Sequence, residues 1–233
     1  MDVKQPQIVN ITRESLLDDG VRVRLEQQYK SLPFLTAEQQ QESLAQCLSQ
    51  WCGEQAVYVF AYGSLIWNPA IHCEAVGTGR LFGRHRRMAM RSMFGRGTPE
   101  RPGLMLTLLP GGCCDGVVLK IESSRAVEEL SLLWRREMIS GSYRPRWLPV
   151  RSKQGVLSCL VFDHNPNHPS FIGPMTFEKE VEILSQASGP LGPNKDYIYQ
   201  TVQALNHWQL RDARMSRLER HLGLVKSKAD CEG

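Results

Sequence analysis

The stretch VYVFAYGSLIWNPA, residues 57–70, changes its character twice within a few residues. An apolar run from Val57 to Tyr62 has the composition of a buried strand. It breaks at Gly63 and Ser64, then turns apolar again through Leu65, Ile66 and Trp67. A plain turn accounts for the break. So does a loop whose backbone amides hold a ligand, with glycine leaving room for close approach. The second reading requires a chemical partner elsewhere in the chain.

Downstream of this stretch, the runs GLMLTLLP, GVVLKI and VLSCLVFD also predict strands, each bounded by Gly, Pro or Asp. Pro110, Gly111 and Gly112 predict a turn between the first two of them. The first fifty residues read as helical. Thr36 and Gln39 form a capping-box pattern, and Leu44, Cys47, Leu48 and Trp51 make an apolar stripe behind it. Near the other end Thr176 caps FEKEVEILSQAS and Asn194 caps KDYIYQTVQALNHW. A last amphipathic piece runs through Met215, Leu218 and Leu222. Strands around one central helix, with further helices outside, predict a single α+β domain at residues 56–225. A helical arm at 1–55 is expected to pack on it, followed by a tail at 226–233.

The 233 residues can enclose one substantial core, and 42% hydrophobic with 22% charged residues is an ordinary globular balance. No apolar run is long enough to cross a bilayer, and the N-terminus has no apolar signal region. Seven scattered cysteines, never spaced C-x-x-C, argue against a disulfide framework and against structural zinc. A reducing, cytoplasmic setting is expected. The net charge of +4 is mild, but residues 79–101 hold seven arginines (80, 84, 86, 87, 91, 96 and 101) against Glu100. That stretch reads as a solvated face, as a cationic wall around a small acidic substrate, or as an RNA-binding patch. No RRM, KH or helix-turn-helix pattern accompanies it, so no nucleic-acid partner is expected.

The central helix, SSRAVEELSLLWRREM at 123–138, carries the partner sought. With Ser123 or Ser124 as its cap, its stripe takes Ala126, Leu130, Leu133 and Trp134, and the next position inward is Glu137. Glu128, Glu129, Arg135 and Arg136 fall off the stripe, where charges belong. Glu137 is either half of a structural ion pair with an arginine of the 79–101 stretch, or a desolvated acid. In the second case burial and the negative end of the helix dipole raise its pKa, which suits proton transfer near neutral pH. His164 and His168 in DHNPNHP have the spacing of helical metal ligands, but Pro166 and Pro169 preclude a helix, so the segment reads as a polar loop without metal. No G-x-S-x-G elbow and no Walker A sequence is present.

A Gly-Ser loop after a strand and a lone inward glutamate on a later helix resemble the ChaC-type gamma-glutamylcyclotransferases. VFAYGSLIW is similar to that family's V-F-G-Y-G-S-L-I-W, with Ala61 in place of a glycine. RRMAMRSMFGRGTPERPG keeps Arg86, Arg87, Ser92, Arg96, Gly97, Pro99, Pro102 and Gly103 at the family's spacing. WRREM supplies the Arg-Glu pair, and SGPLGPNKDYI resembles the C-terminal segment with Asn194 and Tyr197. Tyr143 stands six residues after Glu137, where some members place a tyrosine four residues on. The resemblance covers residues 57 to about 206. It implies an α+β fold, a mixed sheet or partly closed barrel with one internal helix and peripheral helices. It implies glutathione as substrate, cleaved by intramolecular aminolysis to 5-oxoproline and Cys-Gly without cofactor or metal. Glu137 would be the acid–base group, and Val59, Phe60, Ala61, Tyr62, Gly63, Ser64, Leu65 and Tyr143 would bind substrate. A non-catalytic relative that binds a γ-glutamyl metabolite and regulates transport is the alternative. A lone desolvated acid favours the enzyme, since a binder has no use for one.

Overall fold

The computed structural model describes residues 10–224, so the tail expected at 226–233 lies outside the described residues. Five strands close into a barrel in the order β1-β3-β2-β4-β5. They are β1 (Val57–Ala61), β2 (Glu74–Ser92), β3 (Gly103–Ile121), β4 (Tyr143–Ser152) and β5 (Gly155–His164). All neighbours are antiparallel except the closing pair, where Tyr58 and Val59 of β1 lie parallel to Cys159 and Leu160 of β5. The barrel is thus closed, although β4 joins β2 only through Val150–Ser152.

The turn expected at 110–112 does not exist. GLMLTLLP and GVVLKI belong to one 19-residue strand, β3, paired along its length with the 19-residue β2. Pro110, Gly111 and Gly112 lie instead at an irregularity, where the register passes from Phe82↔Cys113 to Arg84↔Pro110. Both glycines have positive φ, so they bend the strand locally rather than reverse it. β4 gave no strand signal because it contains Pro145 and Pro149. Its pairing with β2 covers only Val150–Ser152, so both prolines sit where that edge has no partner.

The apolar alternation of β1 serves two cores. Val57, Val59 and Ala61 join one, Phe60 and Tyr62 the other. The first core also holds α4 (Ala126–Glu137) and the helical arm, α1 (Arg13–Leu17), α2 (Gly20–Gln28) and α3 (Ala37–Leu48). The expected stripe is real: Ala126, Leu130, Leu133 and Trp134 are buried, with Trp134 edge-on to Phe162 of β5 and its indole N–H on Ser43 of α3. So α4 lies between barrel and arm. The Thr36–Gln39 capping box forms as expected. Neither Ser123 nor Ser124 caps α4, however; they belong to a 3₁₀ turn, Ser123–Arg125, that leads into it.

The second core is covered by α5 (Phe177–Gln186), α6 (Asn194–His207) and α7 (Ala213–His221). Thr176 caps α5 as expected. Asn194 does not cap α6. It is the helix's first residue, fully buried, and its amide oxygen accepts from Leu104 N–H at 2.6 Å while its NH₂ donates to Leu104 C=O at 3.0 Å. The side chain completes the edge of β3 as a third strand would. Before α6 a two-residue pair, β6 (Ser188–Gly189) with β7 (Gly192–Pro193), meets the loop after β2. A Cβ on Gly97 or Gly189 would collide with backbone atoms, so glycine alone lets these segments touch main chain to main chain.

Replacing Asn194 by Ala strands a buried N–H and a buried C=O of Leu104. The expected loss is about 2–4 kcal/mol, read by chemical or thermal denaturation. An unchanged melting temperature would show that the bridge contributes nothing.

Candidate active site

Glu137 ends α4, and Tyr143 begins β4 after a short connection. Ser64 opens a 3₁₀ turn, Ser64–Ile66, directly beyond β1, and Tyr197 lies in the first turn of α6. These four, with Ser92, Phe94 and Arg96 from the end of β2 and the loop after it, line one cavity of about 370 Å³. A second cavity of about 620 Å³, between residues 76–78, 152–154 and 207–210, holds none of the candidate residues.

The Glu137 side chain is 13% exposed, and its carboxylate oxygen lies 2.8 Å from Nε of Arg136. The arginine expected from the 79–101 stretch is therefore its own chain neighbour. Two effects oppose each other at this carboxyl. Burial disfavours the charged form and Arg136 favours it; burial prevails, and the pKa is raised. Arg136, itself 4% exposed, is spread over three partners: Nη2 donates to Ser64 Oγ at 3.0 Å, and Nη1 donates to the Asn68 carbonyl. With its donors so divided, it neutralises Glu137 only in part.

Three buried tyrosines feel the charge of this carboxylate. Tyr62, Tyr143 and Tyr197 all have raised pKa values, from burial first and then from neighbouring negative charge, that of Glu137 included. For Tyr197 the value is pushed up to about 12. All three are neutral donors at physiological pH. Tyr143 donates to Leu106 C=O at 2.9 Å and Tyr62 to Phe162 C=O at 2.6 Å.

The 57–65 segment divides. Val59, Phe60 and Ala61 are fully buried in β1, and Tyr62 and Leu65 nearly so; neither these five nor Gly63 lines the cavity, which Ser64 alone of the 59–65 residues reaches. Their side chains pack the strand end into the two cores. At Gly63 a Cβ would come to 3.0 Å from the Tyr197 hydroxyl, a tight approach that the bare backbone relieves. The amides of Gly63, Ser64 and Leu65 donate to no partner among the described residues, as expected of the first N–H groups of a helical turn. The Tyr62 carbonyl is fixed from below: buried Arg86 donates to it from Nε at 2.6 Å, while its other nitrogens reach Asp212 at 2.5 Å and the Asp115 carbonyl at 2.7 Å.

The arginine stretch is otherwise not a wall. Arg80 pairs with Asp115 and Arg84 with Asp163, and of the seven arginines Arg96 alone lines the cavity. Burial lowers its pKa. Cationic groups at the cavity come instead from α4, as Arg135 and Arg136. The histidine loop has a structural use: His168 accepts from Ser170 N–H and shares a hydrogen bond with the Ser140 carbonyl, which fixes the connection between Glu137 and Tyr143. No group of three or more possible metal ligands is assembled among the described residues. Sequence reasoning also undercounted the acids on the inner face. Glu129, expected outside, is wholly buried against Arg13 and the N–H of His72. Its signal lay in an arm arginine that periodicity alone does not connect to it.

Residues 57–226 match the family model described as ChaC-like protein. The chain is 36% identical over 203 residues to the glutathione-specific gamma-glutamylcyclotransferase of Escherichia coli (strain K12), covering 87% of each chain. To the glutathione-specific gamma-glutamylcyclotransferase 1 of Homo sapiens it is 29% identical over 149 residues, 62% of this chain and 67% of the human one. Among solved structures, a yeast gamma-glutamyl cyclotransferase specific to glutathione superposes with a TM-score of 0.66 at 22% identity. The superposition covers 73% of this chain and 96% of the yeast chain, a likeness of fold.

The raised pKa of Glu137 has a consequence for stability. The folded state holds this proton more tightly than the unfolded chain, whose glutamate titrates near 4.5. Its ionisation therefore weakens the fold as pH rises from about 4.5 through the folded pKa, and the penalty is complete above that window. Glu137→Gln removes the penalty, and Arg136 keeps Ser64 and Asn68 as partners. The variant should melt at or above the wild-type temperature at pH 8, with the advantage vanishing near pH 4.5. A large destabilisation at pH 8 would mean that the Arg136 pair outweighs desolvation.

Proposed function

Because the chain belongs to the ChaC-like protein family, we propose that it cleaves glutathione into 5-oxoproline and Cys-Gly, with Glu137 as the group that moves the proton. The observation that carries the reading is a carboxylate of raised pKa at the edge of a cavity that also presents Ser64, Tyr143 and Tyr197. The γ-glutamyl α-amine attacks its own γ-carbonyl carbon, forming the ring C–N bond. Glu137, ionised, accepts the proton that the amine loses. The tetrahedral intermediate collapses by breaking the bond to the cysteinyl nitrogen, and Glu137 returns the proton to that leaving amine. Atoms balance without water, and the carboxylate ends as it began.

The intermediate bears negative charge on the former carbonyl oxygen, which preorganised donors stabilise. The unsatisfied amide of Ser64, which lines the cavity and whose side chain Arg136 holds, suits that task. Tyr143 and Tyr197 remain neutral and orient the γ-glutamyl group, and Arg96 is the cation from the basic stretch available to a substrate carboxylate. A reducing cytoplasm is part of the proposal, in keeping with the free thiols of Cys47, Cys52, Cys73, Cys113, Cys114 and Cys159. Neither nucleic acid nor membrane is a proposed partner. No helix among the described residues is long and apolar enough to cross a membrane.

Incubation of the protein with glutathione should release equimolar 5-oxoproline and Cys-Gly. Glu137→Gln should lower kcat by about 10²–10⁴-fold while the protein stays folded. A fully active variant would remove Glu137 from the mechanism.

The pH profile separates the two influences on that carboxyl. The acid limb of kcat/KM should lie above the ordinary glutamate value of 4.5, since burial raises the pKa. Arg136→Gln removes the opposing charge, so the limb should move to higher pH. A shift toward lower pH would show that Arg136 does not act on Glu137 as a cation.

A further inference from the structure

The chemistry of cleavage uses residues from 57 onward, but the cavity is not made by them alone. Asn10, Ile11, Leu16, Val21 and Leu25 line it as well, and all precede the 57–226 stretch matched by the family model. Leu16, Val21 and Leu25 are buried members of the first core, so this side of the cavity is apolar and fixed in place.

The arm is fastened to the helix that carries Glu137. Arg135 Nη1 donates to the carbonyls of Leu16 and Leu17 at 2.7 Å and 2.8 Å, where α1 ends and its carbonyls lack helical partners. Arg13 pairs with buried Glu129 and, at 2.8 Å, with Glu128. Asn68 Nδ2 donates to Ile11 C=O at 3.0 Å, while the Asn68 carbonyl accepts from Arg136, which touches Glu137 and Ser64. Further along, Phe34 of the arm packs on Phe94 of the cavity lining, ring centroids 5.3 Å apart. One continuous set of contacts therefore joins the arm to both the acid and the Gly-Ser loop.

We propose that the N-terminal arm is the apolar wall of the substrate site and recognises the cysteinyl-glycine half of the tripeptide. The proposal rests on the reading of this cavity as a glutathione site. Chemistry places the γ-carbonyl beside Glu137 and Ser64, at the polar end. The remainder of the substrate then has the apolar side open to it, and a cysteine side chain behaves as a small hydrophobe. A wall on the leaving side separates substrates by the residue joined to the γ-glutamyl group, whereas a purely structural arm treats them all alike.

The test uses the full chain with Ile11→Ala and Val21→Ala, with kcat/KM measured for glutathione and for γ-glutamyl-alanine. The wall predicts a loss of about 10–200-fold for glutathione, the scale of a methylene in an apolar pocket. The loss should fall mainly on KM and be several-fold smaller for γ-glutamyl-alanine. Equal losses for the two substrates, or none for either, overturn it. If Val21→Ala melts below the assay temperature, the test falls to Ile11→Ala, a change at a partly exposed residue outside the helices. Calorimetry of glutathione binding to the Glu137→Gln protein, with and without Ile11→Ala, reads the wall without turnover, and a matching fall in affinity supports it. Binding that Ile11→Ala leaves untouched overturns the wall and leaves the catalytic reading standing. A wild-type protein that neither binds nor cleaves glutathione overturns both.

Discussion

The guanidinium of Arg136 meets Glu137 of its own helix, the hydroxyl of Ser64 and the carbonyl of Asn68. Through them it fixes the relation between the end of α4 and the turn that leaves β1. A nearly buried arginine needs partners for its donors, and here those partners are the parts of the site. Without it, the carboxylate would lose its cation and the turn its link to the end of α4. The division of its donors also limits the stabilisation it gives Glu137, so the acid stays raised in pKa rather than locked as a salt bridge.

Glu129 and Glu137 show how one helix gives two carboxylates opposite characters. Burial acts first on both and pushes both upward. At Glu129 the guanidinium of Arg13 and the N–H of His72 more than compensate, and the pKa is lowered. That acid is an anchor for the arm. At Glu137 one shared arginine does not compensate, and the acid remains able to exchange a proton. The count of hydrogen-bond donors reaching each carboxylate decides which is structural and which is chemical.

The arginines of β2 work mostly as scaffold. Arg80 meets Asp115 on the neighbouring β3, Arg84 reaches Asp163 on β5, and Arg86 carries the Tyr62 carbonyl from beneath. A run of charge in a sequence reports composition, while its use depends on which face of the strand each side chain takes and what lies across the ladder. Those partners, Asp115, Asp163 and Asp212, are remote in the chain, so the stretch alone could not distinguish a substrate wall from a set of braces.

Local patterns were enough for the apolar strand before Gly63, the Thr36 and Thr176 caps, the stripe of α4 and the acid on it. Each of these depends on residues a few positions apart, where strand alternation, capping and the helical repeat operate. The resemblance in four short motifs added the family. Tertiary structure decided the rest. It made one strand of the two runs around Pro110 because β2 pairs along their whole length, and it hid β4 behind two prolines that only an unpaired edge tolerates. It turned Asn194 from a cap into a bridge to Leu104, buried Glu129 under Arg13, and brought Tyr197 beside Gly63 and the arm across the cavity. Every one of these joins residues far apart in the chain, and such contacts are set by how the elements pack rather than by any local preference.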